Sequence, residues 1–244
     1  MTIKVMIVDD SAVMRALLAE IVNDAPDLEV VATAPDALAA REMIKSLNPD
    51  VLTLDVEMPK MDGLEFLGRL MRLRPMPVVM ISSLTERGSE ATLQALETGA
   101  VDFIPKPRGD TSALLPGYAE EVREKIRAAH ASHRRRPLLP RPASEVASVA
   151  LSQRLLGGHV IAIGASTGGT EAIKAVLTAL PGQLPPIVMV QHMPESFTPS
   201  FAKRLDTLAA LSVIEAQGGE RLRPGTAYLA PGHSHLRIRK VAGG

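Results

Sequence analysis

Two groups of side chains in this sequence have the types and spacing to do chemistry, and the two chemistries differ. In the first group, Asp9 and Asp10 follow the apolar run that ends at Val8, and Asp55 follows the run Val51 to Leu54. Ser82 follows Val78 to Ile81, and Lys106 follows Phe103-Ile104-Pro105. Three carboxylates in one place repel one another and favour a hard divalent cation with oxygen ligands, such as Mg²⁺. The cation offsets charge on an incoming phosphoryl group, and one carboxylate can then act as nucleophile and become an acyl phosphate. Lys106 supplies a fixed positive charge for phosphoryl oxygens, and Ser82 a hydroxyl that can turn toward them. Taken singly these residues are ordinary: Asp-Asp after a strand caps helices, and an Asp before Met58-Pro59 opens turns. Their joint arrival at successive strand ends sets them apart.

The second group is Gly164-Ala165-Ser166-Thr167-Gly168-Gly169, followed by Val190-Gln191-His192-Met193-Pro194. G-x-S-x-G between a strand and a helix is the context of a nucleophile elbow. Glycines relieve crowding in the tight turn and leave Ser166 exposed. A helix starting at about Thr170 turns its positive end toward the site, where it favours an oxyanion. His192 ends the next strand, and adjacent parallel strands lie about 5 Å apart. His192 could therefore reach Ser166, take its proton and return it to the leaving group. The same glycine pattern also serves as a phosphate cradle or a plain tight turn. His233 and His235, at i and i+2, would share one strand face, but nothing nearby supplies a third metal ligand.

These residues need a scaffold that brings strand ends together. Up to about residue 130, apolar runs alternate with amphipathic segments. Strands are expected at Ile3 to Val8, Val30 to Ala34, Val51 to Leu54, Val78 to Ile81 and Ala100 to Ile104. Helices follow at Met14-Leu17-Leu18-Ile21, Ala37 to Leu47, Gly63 to Leu73, Glu86 to Thr98, and around Tyr118-Val122-Ile126. Such a βα rhythm implies a doubly wound parallel sheet, whose ligands sit at the carboxyl ends of the strands. Residues 131–154, with His133-Arg134-Arg135-Arg136-Pro137 and Leu139-Pro140-Arg141-Pro142, read as a solvated linker. A second βα pattern begins at Val160, with strands at Val160 to Gly164, Ile187 to Val190, Val213 to Ala216, Ala227 to Ala230 and Leu236 to Val241. Its helices are expected at Thr170 to Leu180 and Ser200 to Leu211. The resulting division is 1–130, linker 131–154, and 155–244.

Composition narrows the function classes. A chain of 244 residues holds two small domains, and with aromatics at 2 % their cores must be aliphatic. Lys+Arg and Asp+Glu balance at 27 each, so no global field draws the protein to nucleic acid or anionic lipid. The absence of cysteine excludes disulfides and thiolate chemistry. No apolar run has the length of a signal peptide or a membrane span. A cytoplasmic protein with no nucleic-acid partner and no membrane insertion is expected.

Val8-Asp9-Asp10-Ser11, Asp55-Val56-Glu57-Met58-Pro59-x-Met61-Asp62-Gly63 and Phe103-Ile104-Pro105-Lys106-Pro107 resemble the receiver domain of two-component response regulators. The resemblance implies a flavodoxin-like (βα)5 fold with Asp55 as phosphoacceptor and a histidine kinase as phosphoryl donor. It implies Mg²⁺ held by Asp10, Asp55 and the backbone carbonyl of Glu57, with Asp9 in the acidic cluster. It also implies Ser82 and Phe103 as a switch pair and Lys106 as phosphate sensor, although Phe103 on an alternating strand is equally an ordinary core residue.

Ile161 to Thr170 and Val190 to Pro194, together with Val79-Met80-Ile81-Ser82-Ser83-Leu84-Thr85-Glu86-Arg87-Gly88 and Ala230-Pro231-Gly232-His233-x-His235, resemble the chemotaxis-type protein-glutamate methylesterases. That family hydrolyses glutamate methyl esters on chemoreceptors, releasing methanol, and many members also deamidate receptor glutamines. The resemblance implies a Rossmann-like catalytic domain, Ser166 as nucleophile with Thr167 beside it, His192 as base, and no cofactor for the esterase. It further implies that the unphosphorylated receiver covers the active-site mouth until Asp55 is phosphorylated.

One departure stands out. The family's third triad member is an aspartate in a Gly-rich motif well beyond the matched segment. The acids after Ser166 are Glu171, Glu195, Asp206, Glu215 and Glu220, and none fits that position. An acid in that role orients the histidine, and its replacement in a serine protease costs about 10⁴ in kcat. The second domain is thus expected to be incomplete, less stable than the receiver, and weakly active. Two other functions compete. A non-enzymatic phosphoswitch would keep the receiver chemistry and use the second domain only to bind. A transcription factor would need a basic recognition helix, and strands with a Ser–His pair stand in its place.

Overall fold

The computed structural model describes residues 2–83, 86–107, 115–134 and 158–240. The chain divides into two compact units, Met1–Pro137 and Leu138–Gly244.

The first unit runs β1 (Ile3–Val8), α1 (Ala12–Asn23), β2 (Leu28–Ala34), α2 (Ala37–Leu47), β3 (Val51–Asp55), α3 (Gly63–Leu73), β4 (Val78–Ser82), α4 (Glu86–Thr98), β5 (Asp102–Pro105) and α5 (Leu115–Arg134). Short polar side chains start three of the helices. Ser11 accepts from the Met14 N–H (3.4 Å), Asp36 from Ala39 (2.9 Å) and Asp62 from Glu65 (2.7 Å). Each satisfies a backbone donor that the first turn leaves unpaired. Asn48, at φ 48°, closes α2 in the left-handed region.

All strands of this sheet are parallel, in the order β2-β1-β3-β4-β5. β3 and β4 are buried along their whole length, which is why they read as largely apolar runs, with Thr53 the polar residue inside β3. Val5, Ile7, Val51, Ile81 and Ile104 from the sheet pack with Leu18 and Ile21 of α1 and with Val122 and Ile126 of α5. This cluster is built of Val, Ile, Leu and Ala with Tyr118 packed against it, and the unit also buries Phe66 and Phe103, so the core is mainly but not wholly aliphatic. The strand order reverses direction between β1 and β3, so a crevice opens at their carboxyl ends.

The second unit runs β6 (Ile161–Ala165), α6 (Gly169–Ala179), β7 (Ile187–Gln191), α7 (Thr198–Leu208), β8 (Ser212–Glu215) and β9 (Thr226–Leu229). Its sheet is parallel in the order β6-β7-β9-β8. Ile173 and Leu177 of α6, and Phe201 and Leu205 of α7, are buried at i and i+4, on one face of each helix. Among the described residues, no helix is long and apolar enough to cross a membrane.

Three expectations differ from the structure. α5 continues to Arg134, so the first residues of the expected linker are helical, while 135–154 lie outside the described residues. Leu236 to Lys240 form no strand. Their alternation is real, but a strand needs a hydrogen-bonding neighbour; Leu236 instead packs against the cluster of Val188, Ala216 and Tyr228. His233 lies in a turn, not on a strand face.

Candidate functional site

In the first unit, register delivers the acidic residues to one point. Val8 pairs with Leu54 and Asp55 with Ile81, so the chain segments leaving β1 and β3 emerge side by side. Ser82 pairs with Pro105, which brings Lys106 across the crevice. Lys106 Nζ lies 2.7 Å from Asp55 Oδ2 and 3.5 Å from Asp9 Oδ2. Asp9, Asp10 and Asp55 each present a carboxylate oxygen within 4.8 Å of the others.

Asp9 and Asp55 are fully buried and Asp10 is exposed. Asp9 Oδ1 accepts the Ser11 N–H at 2.8 Å, whereas its Oδ2 has no hydrogen-bond donor. Asp55 Oδ1 accepts the Glu57 N–H at 3.3 Å. Burial pushes the Asp55 carboxyl up to about 6, against the opposing hydrogen bond from Lys106 and with further upward pressure from Asp9. Burial also raises Asp9, opposed by the Lys106 charge. Lys106 is held above its ordinary value by Asp55 and Asp9, although its own burial works the other way. Crowded carboxylates with an unfilled oxygen form an all-oxygen donor set suited to Mg²⁺.

The remaining residues singled out in this unit are placed differently. The Ser82 hydroxyl lies 2.6 Å from that of Thr92, and the two hydroxyls lie 3.2 and 2.7 Å from the Gly88 carbonyl. Ser82 therefore faces α4, not the carboxylates. Phe103 is a buried core residue, with Lys125 Nζ 5.1 Å from its ring centroid. Lys125 itself is only 7 % exposed. It donates to the Phe103 carbonyl (2.5 Å) and pairs with Glu121 (3.1 Å) and Asp102 (3.5 Å). Nothing in its helical sequence context distinguishes it from its solvated neighbours. Arg15 was also missed: its guanidinium donates to the backbone carbonyls of Asp9 (2.7 Å) and Asp10 (3.0 Å).

In the second unit, Ala165 pairs with Gln191, the last residues of β6 and β7. Ser166 and His192 are the residues that immediately follow the two strands. The His192 N–H donates to the Ala165 carbonyl at 3.1 Å, so the two chains are still joined there. Ser166, Thr167 and His192 are exposed. No hydrogen bond joins the Ser166 and His192 side chains in this structure. Gly168, at φ 74°, makes the turn into α6 in a conformation that a side chain would strain. The crowding lies one residue on. A Cβ on Gly169 would stand 2.1 Å from Gln191 Oε1 and 2.6 Å from Ala165 Cβ, whereas Gly164 has open space. Gln191 Nε2 donates to the Ser166 carbonyl at 3.0 Å and to the His192 carbonyl at 3.3 Å.

The acids of this unit are engaged elsewhere. Glu171 pairs with Lys174, Glu195 with His233, and Glu215 with Thr198. Asp206 accepts the Val213 N–H and Glu220 the Gln217 N–H. Among the described residues, no carboxylate hydrogen-bonds to the His192 imidazole. His233 and His235 belong to no group of three candidate metal ligands among the described residues.

A (βα)5 sheet with an acid cluster and a lysine at its carboxyl edge, joined to a parallel-sheet unit with serine and histidine at neighbouring strand ends, defines a response-regulator receiver coupled to a hydrolase-type unit. Residues 5–115 match the response regulator receiver domain and residues 161–243 match the CheB methylesterase. A protein-glutamate methylesterase/protein-glutamine glutaminase of Dechloromonas aromatica is 61 % identical over 99 % of this chain and 70 % of its own length. Its namesake in Methylobacillus flagellatus is 59 % identical over 98 % of this chain and 68 % of its own. The response regulator domain of Thermotoga maritima CheB, a solved structure, is 47 % identical over 54 % of this chain and 98 % of that one, with a TM-score of 0.49. The chain belongs to the family of protein-glutamate methylesterases/protein-glutamine glutaminases.

Proposed function

We propose that this protein is a phosphorylation-regulated hydrolase that cleaves glutamate methyl esters on chemoreceptors, and receptor glutamine amides by the same route. The observation that carries the reading is the Ala165–Gln191 register, which sets a serine and a histidine at adjacent strand ends. In this reading His192 takes the Ser166 proton as Oγ attacks the ester carbonyl carbon. The positive N-terminal end of α6 favours the oxyanion. The tetrahedral intermediate collapses, methanol leaves with the proton from the imidazolium, and a glutamyl–serine ester remains. Water then attacks that ester, His192 accepts its proton, and glutamate and free Ser166 are released. With a glutamine substrate, ammonia replaces methanol. Thr167 flanks the nucleophile, and no cofactor is needed. The serine and histidine hydrogen bond is expected to close on substrate binding, as in many unliganded sites.

In the receiver, Asp55 is the phosphoacceptor. An Asp55 oxygen attacks phosphorus, the donor's P–N bond breaks, and a histidine kinase recovers a neutral imidazole. Asp9, Asp10, Asp55 and the Glu57 carbonyl would hold Mg²⁺, which when bound offsets the phosphoryl charge. Lys106 exchanges its Asp55 partner for phosphoryl oxygens. Ser82 and Phe103 then respond, Ser82 by leaving Thr92. The protein works in the cytoplasm, where receptor methylation sites and kinase are both accessible.

The test is methanol release from methylated receptor, with and without acetyl phosphate. Ser166→Ala should abolish release and leave Asp55 labelling intact. A second reading, a phosphoswitch that only binds its receptor, is favoured by the absence of a carboxylate partner for His192 among the described residues. In that case Ser166→Ala would change nothing, and release would be negligible in the unmutated chain.

A further inference from the structure

We propose that Gln191 is a positioning residue for the Ser166–His192 pair: its buried carboxamide ties the nucleophile's turn to the base's strand end. The inference rests on Ser166 and His192 acting as nucleophile and base. Neither chemistry uses the Gln191 side chain. Gln191 is the last residue of β7 and is only 7 % exposed, although its neighbour His192 is exposed. Nε2 donates to the carbonyls of both flanking functional residues, Ser166 at 3.0 Å and His192 at 3.3 Å. The two acceptors fix which way the amide faces. Turned over, its oxygen would oppose two carbonyl oxygens.

The local sequence is shaped around this amide. The Ser166 carbonyl also accepts the Gly169 N–H at 2.7 Å, so both of its lone pairs are filled. Gly169 leaves room for the amide, because a Cβ there would stand 2.1 Å from Oε1 and 3.0 Å from Cδ. Oε1 is buried and has no hydrogen-bond donor. A buried amide that leaves one end unsatisfied is costly. An apolar side chain of the same size would be cheaper for folding, so stability alone does not account for the glutamine. What the amide supplies is a fixed distance between two backbone points, one carrying a hydroxyl and the other an imidazole. The backbone bond from the His192 N–H to the Ala165 carbonyl (3.1 Å) joins the strand ends one residue before Ser166, so the amide is what reaches the Ser166 peptide itself.

The test uses the full chain and an alkyl fluorophosphonate. Its phosphorus bonds to Ser166 Oγ, fluoride leaves, and the serine proton passes to His192. Labelling, followed by intact mass, thus reads the pair without requiring turnover. Gln191→Met keeps the volume and removes both donors. It should slow labelling by at least about tenfold, because small misplacements of reacting groups are expensive. Its thermal midpoint should stay within a few degrees of the unmutated chain, since water can replace the amide at two carbonyls beside exposed residues. Gln191→Glu gives a signature that packing would not. Only its protonated carboxyl can donate to a carbonyl, so its labelling rate relative to the unmutated chain should rise as pH falls from about 8 to about 6. That ratio also decides the matter if Gln191→Met does not fold. Labelling of Gln191→Met within about twofold of the parent, with Ser166→Ala unlabelled, would overturn the positioning role and leave the nucleophile standing. A flat ratio for Gln191→Glu would overturn it too. Failure of the unmutated chain to label at Ser166 would remove the nucleophile, and the inference with it.

Discussion

Lys106 Nζ lies 2.7 Å from Asp55 Oδ2, yet the Asp55 carboxyl is harder to ionise than a free one. Burial outweighs the ammonium. Asp55 lies at the end of a strand covered on both faces, and Lys106 is shared with Asp9 at 3.5 Å. One cation serves two buried carboxylates, so the site is short of positive charge. That shortage is what a divalent ion would relieve, and it has a thermodynamic consequence.

Burial pushes the Asp55 carboxyl up to about 6 in the folded protein, against an ordinary value of 3.8. Between those values the folded state holds a proton that the unfolded chain has released. The contribution to stability is therefore complete below the unfolded value and is lost as pH rises through about 6. A difference of about two units corresponds to about 3 kcal/mol at most. In the presence of chelator, Asp55→Asn should raise the receiver's thermal midpoint at pH 8 by roughly 5–10 °C. The gain should shrink toward pH 4, and Mg²⁺ should narrow it by stabilising only the parent. Calorimetry that finds the variant no more stable at pH 8 would show that the carboxylates are not in conflict.

The same substitution tests the chemistry. Asp55→Asn should take up no phosphoryl group from acetyl phosphate by intact mass, and chelator should abolish labelling of the parent. Asp10 is exposed and Asp9 is anchored by the Ser11 N–H, so neither is placed to substitute. Retained labelling would move the acceptor elsewhere.

Gly63 is a third point of leverage. A Cβ there would stand 2.0 Å from the Asp55 carbonyl oxygen and 3.0 Å from Val56 Cα, and both are backbone. The Gly63 N–H also donates to the Val56 carbonyl at 2.9 Å. Neither neighbour can swing aside, so Gly63→Ala must move the start of α3 or the end of β3. Overpacking of this kind costs roughly 1–3 kcal/mol. Urea unfolding should show that loss, with slower acetyl phosphate labelling because Asp55 is displaced. An unchanged unfolding midpoint would mean that the Asp62-capped turn is softer than its hydrogen bonds imply.

What the sequence made legible follows from periodicity and strand order. Buried parallel strands announce themselves as apolar runs, and a doubly wound sheet gathers whatever follows them. That is why Asp9, Asp55 and Lys106 could be placed together in advance, and Ser166 beside His192. The details that depend on which neighbour a side chain chooses were hidden. Ser82 faces Thr92, four residues beyond Gly88 on the next helix, a choice that strand periodicity does not encode. Lys125 is buried because α5 lays it over Phe103, which no local pattern reveals. Leu236 to Lys240 have the alternation of a strand, but pairing is a property of the partner, and Leu236 packs onto the core instead. Gln191 reads as one more polar residue beside a histidine until the two carbonyls it bridges are seen.

Gly169 offers an independent approach to that bridge. Gly169→Ala would press a methyl against Gln191 Oε1 (2.1 Å) and Ala165 Cβ (2.6 Å). Of the two, the glutamine is the flexible one, so it should yield first and surrender its hydrogen bonds to Ser166 and His192. Fluorophosphonate labelling of Gly169→Ala should therefore fall to about the level of Gln191→Met. Combining the two changes should cost little more than either alone, because both remove the same restraint. Residues in contact that act through one interaction give such non-additive cycles, whereas independent sites add to within about 0.5 kcal/mol. If the two losses multiply, Gly169 acts by distorting the α6 start itself, and the carboxamide is not what the glycine is there to accommodate.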